Sequence, residues 1–453
     1  MGEKEKDEFF SKTPSPWNYS FLKSLGLTSV ISFGEFLDAL FIVGFSVELA
    51  RISLDYKIPT LWIGLVPAFF GFAWAATAFF GGHIADKIGR KAIYTYDLLI
   101  MLFGVVIMIT SSYVGFNLPM LALGYIIVGV GVGLDIPASE ALLLEVSPSK
   151  HRGKMMSLSN IWWYIGPMAG LLIALFSPNN IENFRYVFFF SAGFVIFTFI
   201  MRHWVKESPM FLALKAENTK QKSMNTNSQD NLVSVGELKE HKWSDIFNKK
   251  YRSFTIYIIF MDIFFAFGAT IFGLYLPYLE STLGKKGFVG GVIDDMIWFG
   301  LTIIGILVYW AFVDRPGTKL KRKYIFIISS IGVAVGFILF GIGPLSNTVV
   351  IITSVGLIGF FQGFGMWPLI WLWGTEVFPT AIRSAGRGVM GGFHKTFSYS
   401  WTFVFPAVLL TLGITYIAYT VAIGSFIMAI STIWLAPKES TGKSLVKLDD
   451  NAL

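Results

Sequence analysis

Long apolar runs without a charged residue decide what this chain can fold into. Three of them, 98–134, 161–176 and 404–430, contain no Asp, Glu, Lys or Arg. About 20 apolar residues span the ~30 Å hydrocarbon core of a bilayer as an α-helix. Only 14% of the 453 residues are charged, whereas soluble domains average about 25%. The chain is therefore predicted to be an integral membrane protein, and a soluble enzyme is excluded.

Hydropathy predicts an all-α protein with twelve membrane spans. The spans are 21–48, 60–82, 91–113, 117–145, 155–177, 185–204, 253–280, 290–313, 324–344, 347–374, 385–411 and 413–436. Polar tails cover 1–20 and 437–453, and the first tail lacks the apolar core of a signal peptide. A linker, 205–252, separates the two sets of six spans. Its middle part, 219–231, is rich in Asn, Gln, Ser and Thr and is expected to be flexible.

The basic residues orient these spans. Of the 36 Lys and Arg residues, 30 lie in the tails, in the connections after even-numbered spans, or at the adjoining span ends. The opposite side holds Arg51, Lys57, Arg185, Lys285 and Lys286. Because positively charged connections stay in the cytoplasm, both termini are predicted to be cytoplasmic.

Three motifs recur at nearly the same offset and divide the chain into two halves. The pairs are 145–152 with 376–383, 86–87 with 314–315, and 206–208 with 438–440. Each motif lies at a span end on the predicted cytoplasmic side. We therefore expect two six-helix bundles, 21–204 and 253–436, around a central cavity, which is how many secondary transporters are built.

Residues 82–91, Gly-His-Ile-Ala-Asp-Lys-Ile-Gly-Arg-Lys, match the signature of the major facilitator superfamily. Within that superfamily the chain resembles the sugar-porter branch. The segments that carry this resemblance are Gly129-Val-Gly-Val-Gly133, Glu145-Val-Ser-Pro148, Glu207-Ser-Pro-Met-Phe-Leu212, Trp371, Glu376-Val-Phe-Pro379, 400–402 and 437–445. The resemblance implies a twelve-helix transporter that works by alternating access.

The signature also has a physical interpretation. Gly82 lets two helices approach closely, and Asp86 can face the positive N-terminus of a neighbouring helix. Charges at the predicted cytoplasmic side can form a cluster that holds one conformation and breaks in the other. The predicted cytoplasmic gate comprises Gly82, Asp86, Arg90, Glu145, Arg152, Glu376 and Arg383. The alternative is a set of loop charges that only fixes topology.

Ionisable residues within the spans are candidates for function, because each costs roughly 2.5–3.5 kcal/mol to insert. Asp38 and Glu35 lie on one face of the first span, and Asp135 lies in the fourth. Asp38 falls where sugar porters carry their helix-1 aspartate, which implies a proton-coupling role. Tyr125 replaces the arginine that usually accompanies it. The predicted proton-coupling residues are Asp38, Glu35 and Asp135, and the alternative for Asp38 is a structural polar residue.

The predicted substrate-binding residues are Asp262, Lys395, Trp371 and Trp401. Both tryptophans match sugar-porter positions, whereas Phe264-Phe265 replaces that branch's Gln-Gln pair. Asp135, Asp262 and Lys395 resemble residues of phosphate:proton symporters. Trp163 and Trp367 stand where that family has Gln and Asn, so phosphate is not expected. Lys395 either holds an anionic substrate or pairs with Asp262, and His394, one position round the helix, is not expected to share its cavity.

Together these patterns predict a proton symporter of a small organic anion such as a carboxylate. The alternatives are a symporter or facilitator of a neutral sugar, or a sensor of the same fold that does not transport. The chain has no cysteine, and its five histidines are scattered. We therefore expect no catalytic residues, no metal site and no cofactor. Expected partners are the substrate, protons and the lipid bilayer, without nucleic acid, for a monomer in the cell membrane.

Overall fold

The computed structural model describes residues 19–45, 49, 52, 56–176, 184–226, 243–282, 287–315, 320–343, 347–443 and 445. Across these residues the regular structure is helical, with no strand. Residues 1–18, 227–242 and 446–453 of the predicted tails and linker lie outside the described residues. So do Arg51, Lys285 and Lys286, which the charge count used.

The first half contains six helices, and each matches one predicted span. They are α1 (Phe21–Ala39), which continues through a π-helical turn over Leu40–Gly44, α2 (Thr60–Ile88), α3 (Arg90–Tyr113), α4 (Leu118–Val146), α5 (Arg152–Phe176) and α6 (Phe184–Arg202). Asn117 caps α4 by accepting a hydrogen bond from the Met120 amide at 3.0 Å.

A linker helix and the second half follow. These helices are α7 (Pro209–Thr226), α8 (Arg252–Thr282), α9 (Gly287–Tyr309), α10 (Arg322–Ile342), α11 (Thr348–Phe361), α12 (Trp367–Glu376) and α13 (Arg383–Leu435). A π-helical turn, Gln362–Met366, joins α11 to α12 and makes them one span. Ten helices among the described residues are long and apolar enough to cross a membrane. With the linker helix α7 left out, α11 and α12 counted as one span and α13 as two, these helices form the predicted twelve-helix fold.

The expectation of a flexible linker is wrong for residues 219–226, which belong to α7. Pro209 occupies the first helical position, where its missing amide hydrogen costs nothing. Good helix formers follow it, Met-Phe-Leu-Ala-Leu-Lys-Ala-Glu over 210–217. The helix therefore begins before the polar stretch and extends into it.

The two halves meet along α2 and α13, where glycine permits close contact. A Cβ atom added to Gly82 would collide with the backbone carbonyl of Ser384. Gly388 of α13 packs in the same way against the Ala78 carbonyl of α2. Because a bilayer offers no hydrophobic force between helices, such close packing is what holds them together.

Gly413 separates the last two predicted spans inside α13. Its backbone has φ 77° and ψ 161°, a conformation that L residues with a side chain avoid. The two predicted spans 385–411 and 413–436 therefore meet at this residue. No atom lies within 4 Å of a Cβ built at Gly413, so the constraint comes from the backbone alone.

We expect Gly413→Ala to destabilise the protein by about 1–2 kcal/mol, because alanine is strained at this φ. Gly300 of α9 also has no atom within 4 Å of an added Cβ, but it lies within a regular helix. Gly300→Ala should therefore stabilise by about 0.5–1 kcal/mol. Thermal unfolding of both variants in the same detergent measures the difference. Equal melting temperatures would contradict this account of the break.

Candidate functional site

A cavity of about 60 Å³ lies between the two halves. Helices α1 and α5 of the first half and α8, α9, α12 and α13 of the second line it. The lining residues are Ile42, Val43, Trp163, Tyr164, Phe265, Ala269, Trp298, Trp367, His394, Lys395, Ser398 and Tyr399. This volume has room for a few water molecules, so a larger solute requires the halves to move apart.

Aromatic rings form most of the cavity wall. The Trp367 ring centroid lies 4.3 Å from that of Phe265 and 5.9 Å from that of Trp163. Trp298 is fixed by its indole N–H, which donates to Gln362 Oε1 at 3.0 Å. The buried indole N–H of Trp367 has no hydrogen-bond partner among the residues that the structure describes. The wall therefore offers flat apolar faces together with a donor that a bound solute can use.

The structure does not place Trp371 or Trp401 on the described lining of this cavity. Trp371 lies behind Trp367, with their ring centroids 3.9 Å apart. Trp401 packs against Phe267 at 4.8 Å. A motif position does not show how a helix is turned about its axis. The sequence alone therefore could not separate these two tryptophans from Trp163 and Trp367, which do face the cavity.

Lys395 and His394 both line the cavity, although the sequence argument expected only one of them there. The long lysine side chain brings Nζ to 3.8 Å from the ring centroid of Trp74, on the first half. None of the described carboxylates lies within 4.0 Å of that nitrogen. His394 instead contacts Asp262, with Nδ1 3.3 Å from Oδ1. The predicted alternative pair of Lys395 with Asp262 is therefore absent from the described contacts.

The three predicted proton-coupling carboxyl groups lie in different environments. Asp135 pairs with Arg202 at 2.7 Å, and the same guanidinium contacts Asp97 at 3.1 Å. Asp38 is fully buried, and neither of its carboxyl oxygens has a hydrogen-bond partner among the described residues. Glu35 lies one helical turn before it and is 4% exposed.

Arg202 is a charged residue that the sequence argument missed. It ends α6, and its position at a predicted cytoplasmic span end made it look like a topological charge. Tyr125, which replaces the family's usual arginine, donates its hydroxyl to the Phe41 carbonyl at 3.0 Å. Asp135 therefore obtains its positive partner from α6, whereas no described positive group lies within ion-pair distance of Asp38.

All seven predicted gate residues meet at one end of the molecule, where they join the two halves. Glu145 accepts from Arg90 at 3.3 Å within its own half and from Arg383 at 2.7 Å across the interface. Glu376 repeats this arrangement, with Arg322 at 2.9 Å and Arg152 at 2.6 Å. We call the set Asp86, Arg90, Glu145, Arg152, Asp314, Arg322, Glu376 and Arg383 the charged cluster.

Two aspartates of the charged cluster cap helices of the opposite half. Asp86 accepts from the amides of Ser384 and Ala385, at 3.2 and 2.8 Å, where α13 begins. Asp314 accepts from the amides of Gly153 and Lys154, at 3.1 and 2.9 Å, where α5 begins. Negative charge is stabilised at a helix N-terminus, so each cap favours the closed arrangement of this end.

Arg322 and Asp314 were not among the predicted gate residues. The internal repeat could have identified Arg322. Residues 206–208 and 438–440 are related by an offset of 232, and the same offset relates Arg90 to Arg322. The structure makes the two arginines equivalent, since each pairs with the glutamate of its own half.

A further buried ion pair between the halves was also missed. Arg387 of α13 donates its Nε–H to Glu140 of α4 at 3.1 Å, and both side chains are 1% exposed. The guanidinium also lies 3.8 Å over the Trp371 ring. Nothing in the local sequence shows that a span-end arginine such as Arg387 reaches another helix.

Comparison with known proteins decides the family. The profile of the family described as "Sugar (and other) transporter" matches residues 11–451. This chain belongs to that family. The minor myo-inositol transporter IolF of Bacillus subtilis (strain 168) is 26% identical over 427 residues, which are 93% of each chain. NiaP of the same organism, provisionally named a niacin/nicotinamide transporter, is 25% identical over 407 residues, 89% of this chain and 92% of NiaP.

The fold is that of a solved sugar symporter of the major facilitator superfamily. The proton:xylose symporter XylE superimposes with a TM-score of 0.80 over 96% of this chain and 100% of that one, at 17% identity. The protein is therefore a membrane-spanning transporter of the sugar-porter branch. These three relatives are each named as a transporter or symporter, in agreement with the expectation that the chain is not an enzyme.

We expect Glu376→Gln to open the cluster end of the molecule, because it removes the charge that Arg152 and Arg322 share. A hydrogen bond to a charged group contributes about 1.5–3 kcal/mol, which corresponds to an increase of tenfold or more in the open population. Since the chain has no cysteine, a Ser398→Cys reporter in the cavity can be labelled with a membrane-impermeant maleimide.

The matched control for this measurement is Glu439→Gln. Glu439 lies 3.8 Å from Arg322 Nε but its side chain is 31% exposed, so its ion pair is screened and weak. Labelling from the cluster end should rise only in Glu376→Gln. Equal labelling rates in both variants would show that the buried cluster does not hold this end closed.

Proposed function

We propose that the protein carries a neutral sugar or cyclic polyol across the cell membrane together with a proton. The observation that carries the proposal is the cavity between the halves, whose wall is mainly aromatic and includes the rings of Trp163, Trp298 and Trp367. Such faces suit the C–H surfaces of a sugar ring. The myo-inositol transporter relative and the fold shared with a xylose symporter support this substrate class.

Alternating access requires an end of the protein that closes and opens, and the contacts between the halves close one end here. The charged cluster and the pair of Glu140 with Arg387 join the halves on that side of the cavity. A substrate can leave there only when these contacts break. The distribution of basic residues supports a cytoplasmic location for this end and for both termini. The domain boundaries and the monomeric state stay predictions.

The proton is assigned to a buried carboxyl group of α1. A carboxyl group without a positive partner is costly to keep charged inside a bilayer, which suits Asp38 and Glu35 to carry a proton. Asp135 is less suited, because Arg202 already neutralises its charge at 2.7 Å. A proton bound on α1 lies beside the interface between the halves, where it can influence their movement.

A second candidate is an organic anion such as a carboxylate. Its support is Lys395, which lines the cavity and has no described carboxylate within 4.0 Å. A cation in such a site attracts an anionic substrate. The provisional name of NiaP, whose substrates include an aromatic acid, agrees with this candidate. The family and the other relatives favour the neutral sugar or polyol.

Proteoliposomes containing an internal pH dye separate these candidates. A neutral substrate carried 1:1 with a proton moves positive charge, so an inside-negative potential should accelerate acidification by a sugar or polyol. About 100 mV and one pH unit provide roughly 3.7 kcal/mol, enough for about 500-fold accumulation. Acidification by a carboxylate, insensitive to potential and lost in Lys395→Gln, would establish the anion instead. Exchange of substrate without acidification would contradict symport.

The aromatic cavity wall gives a separate prediction. Trp367→Ala should weaken binding of the transported sugar or polyol about tenfold, because a buried aromatic contact contributes about 0.5–1.5 kcal/mol beyond its area. Trp367→Phe retains a ring and should lose less. Trp401→Ala, whose ring packs on Phe267 away from the described lining, is the matched control. Isothermal binding measurements that find Trp401→Ala the more damaging variant would refute this cavity as the substrate site.

A further inference from the structure

The pair of Glu140 and Arg387 lies between the charged cluster and the cavity. Along α13, Arg383 belongs to the cluster, Arg387 lies one turn further on, and Lys395 lines the cavity two turns beyond. Along α4, Glu140 precedes the cluster residue Glu145 by five positions. The pair is therefore a second contact between the halves, deeper in the protein than the cluster.

Helices of both halves meet at one oxygen of Glu140. Its Oε2 accepts the Nε–H of Arg387 at 3.1 Å and the hydroxyl of Thr375, on α12, at 3.4 Å. The other oxygen, Oε1, is buried and has no hydrogen-bond partner in the described part of the chain. Half of this carboxyl group therefore holds the interface together, while the other half is available for a proton.

Glu35 of α1 lies close enough to Glu140 for the charges of the two carboxyl groups to interact. Its Oε1 is also buried without a partner. The other charged groups that act on Glu35 are Asp135, Arg387 and Lys395. Asp135 is held by Arg202, and Lys395 Nζ has no described carboxylate within 4.0 Å. The two glutamates thus face each other with one arginine in contact.

Two buried carboxyl groups that lie this close cannot easily both be ionised, and they tend to share one proton. Arg387 offsets a single negative charge, so the trio is balanced when Glu35 and Glu140 together hold one proton. A second proton neutralises the carboxylate that Arg387 contacts. Arg387 still lies 3.8 Å from the Trp371 ring, whose face attracts a cation. Because both residues belong to the second half, this contact does not join the halves.

We propose that Glu35 and Glu140 form the site of the transported proton, and that its binding releases Arg387 from Glu140 and so unlocks the inner contact between the halves. When the cluster end opens, the proton leaves to the solvent on that side, Glu140 regains its charge, and the pair with Arg387 can form again as the end closes. The proposal rests on the proposed proton symport.

Asp38 is the rival site on the same helix. It lies three residues after Glu35 and is equally buried. Among the described residues neither Asp38 oxygen has a hydrogen bond or an ion pair, so Asp38 makes no direct contact that joins the two halves, although its charge acts on Lys395 and Tyr399 of the second half. The variants Glu35→Gln, Glu140→Gln and Asp38→Asn each change a carboxyl group to an amide. Glu35→Gln and Glu140→Gln change the proposed site, which contacts the second half through Arg387, whereas Asp38→Asn changes the rival site.

The first measurement compares uptake driven by a pH gradient with substrate exchange at equal pH in proteoliposomes. The proposal predicts that Glu35→Gln and Glu140→Gln keep exchange but lose gradient-driven accumulation at least tenfold. If Asp38→Asn alone loses accumulation while both glutamate variants retain it, the proposal is wrong and proton symport stands. If the unmodified protein exchanges substrate but never accumulates it, proton symport itself fails.

The second measurement does not depend on transport. Labelling of the Ser398→Cys reporter from the cluster end is followed between pH 8 and pH 5. The proposal predicts that labelling rises as the pH falls, and that Glu140→Gln is labelled rapidly at every pH. Arg387→Lys, which retains the positive charge, should keep the pH dependence and thereby shows that the site still folds. Labelling of Glu140→Gln that follows the same pH curve as the unmodified protein would overturn the proposal.

Discussion

Each charge within the bilayer costs several kcal/mol unless a partner or a proton offsets it, and this constraint determines where charged side chains can lie in the protein. At the cluster end every carboxylate has a partner, and the shared glutamates Glu145 and Glu376 each receive one arginine from either half. The halves can separate there only by giving up a neutralising partner. The electrostatic cost of leaving a charge without a partner inside the bilayer therefore stabilises the closed state.

Deeper in the protein the balance of charge changes. Around α1 the acidic groups lack close positive partners, because Asp38 has no ion pair among the described residues and Glu35 lies near another glutamate. Towards the cavity a positive group, Lys395, lies against an aromatic ring without an acidic partner. From the cluster end inwards, the protein thus has a layer of paired charges, then a layer around α1 with too few positive groups. The cavity follows, with a cation, Lys395, that has no acidic partner among the described contacts. Such an arrangement suits a carrier in which a proton supplies the missing charge.

Much of this could be predicted from the sequence, for physical reasons that differ between features. The spans follow from hydropathy, and the predicted spans 385–411 and 413–436 divide α13 close to the break at Gly413. The gate residues were found because they lie in the superfamily signature, 82–91, or in the motif that repeats at 145–152 and 376–383. Arg202 and Arg387 were missed because their partners lie on other helices, and no local pattern encodes that distance. Trp163 lines the cavity and Trp401 is absent from its described lining for a related reason, since hydropathy does not show which neighbour a helix face meets.

The most direct test of the account is the substrate gradient at which net flux stops. Proteoliposomes are loaded so that the gradient of sugar or polyol opposes a pH gradient, with the membrane potential clamped at zero. For 1:1 symport the account predicts that flux stops at about a tenfold opposing gradient per pH unit, since both terms equal 1.36 kcal/mol. An added inside-negative potential of 100 mV should raise that gradient roughly fiftyfold. A flux that stops only at equal concentrations, whatever the pH gradient, would contradict proton coupling.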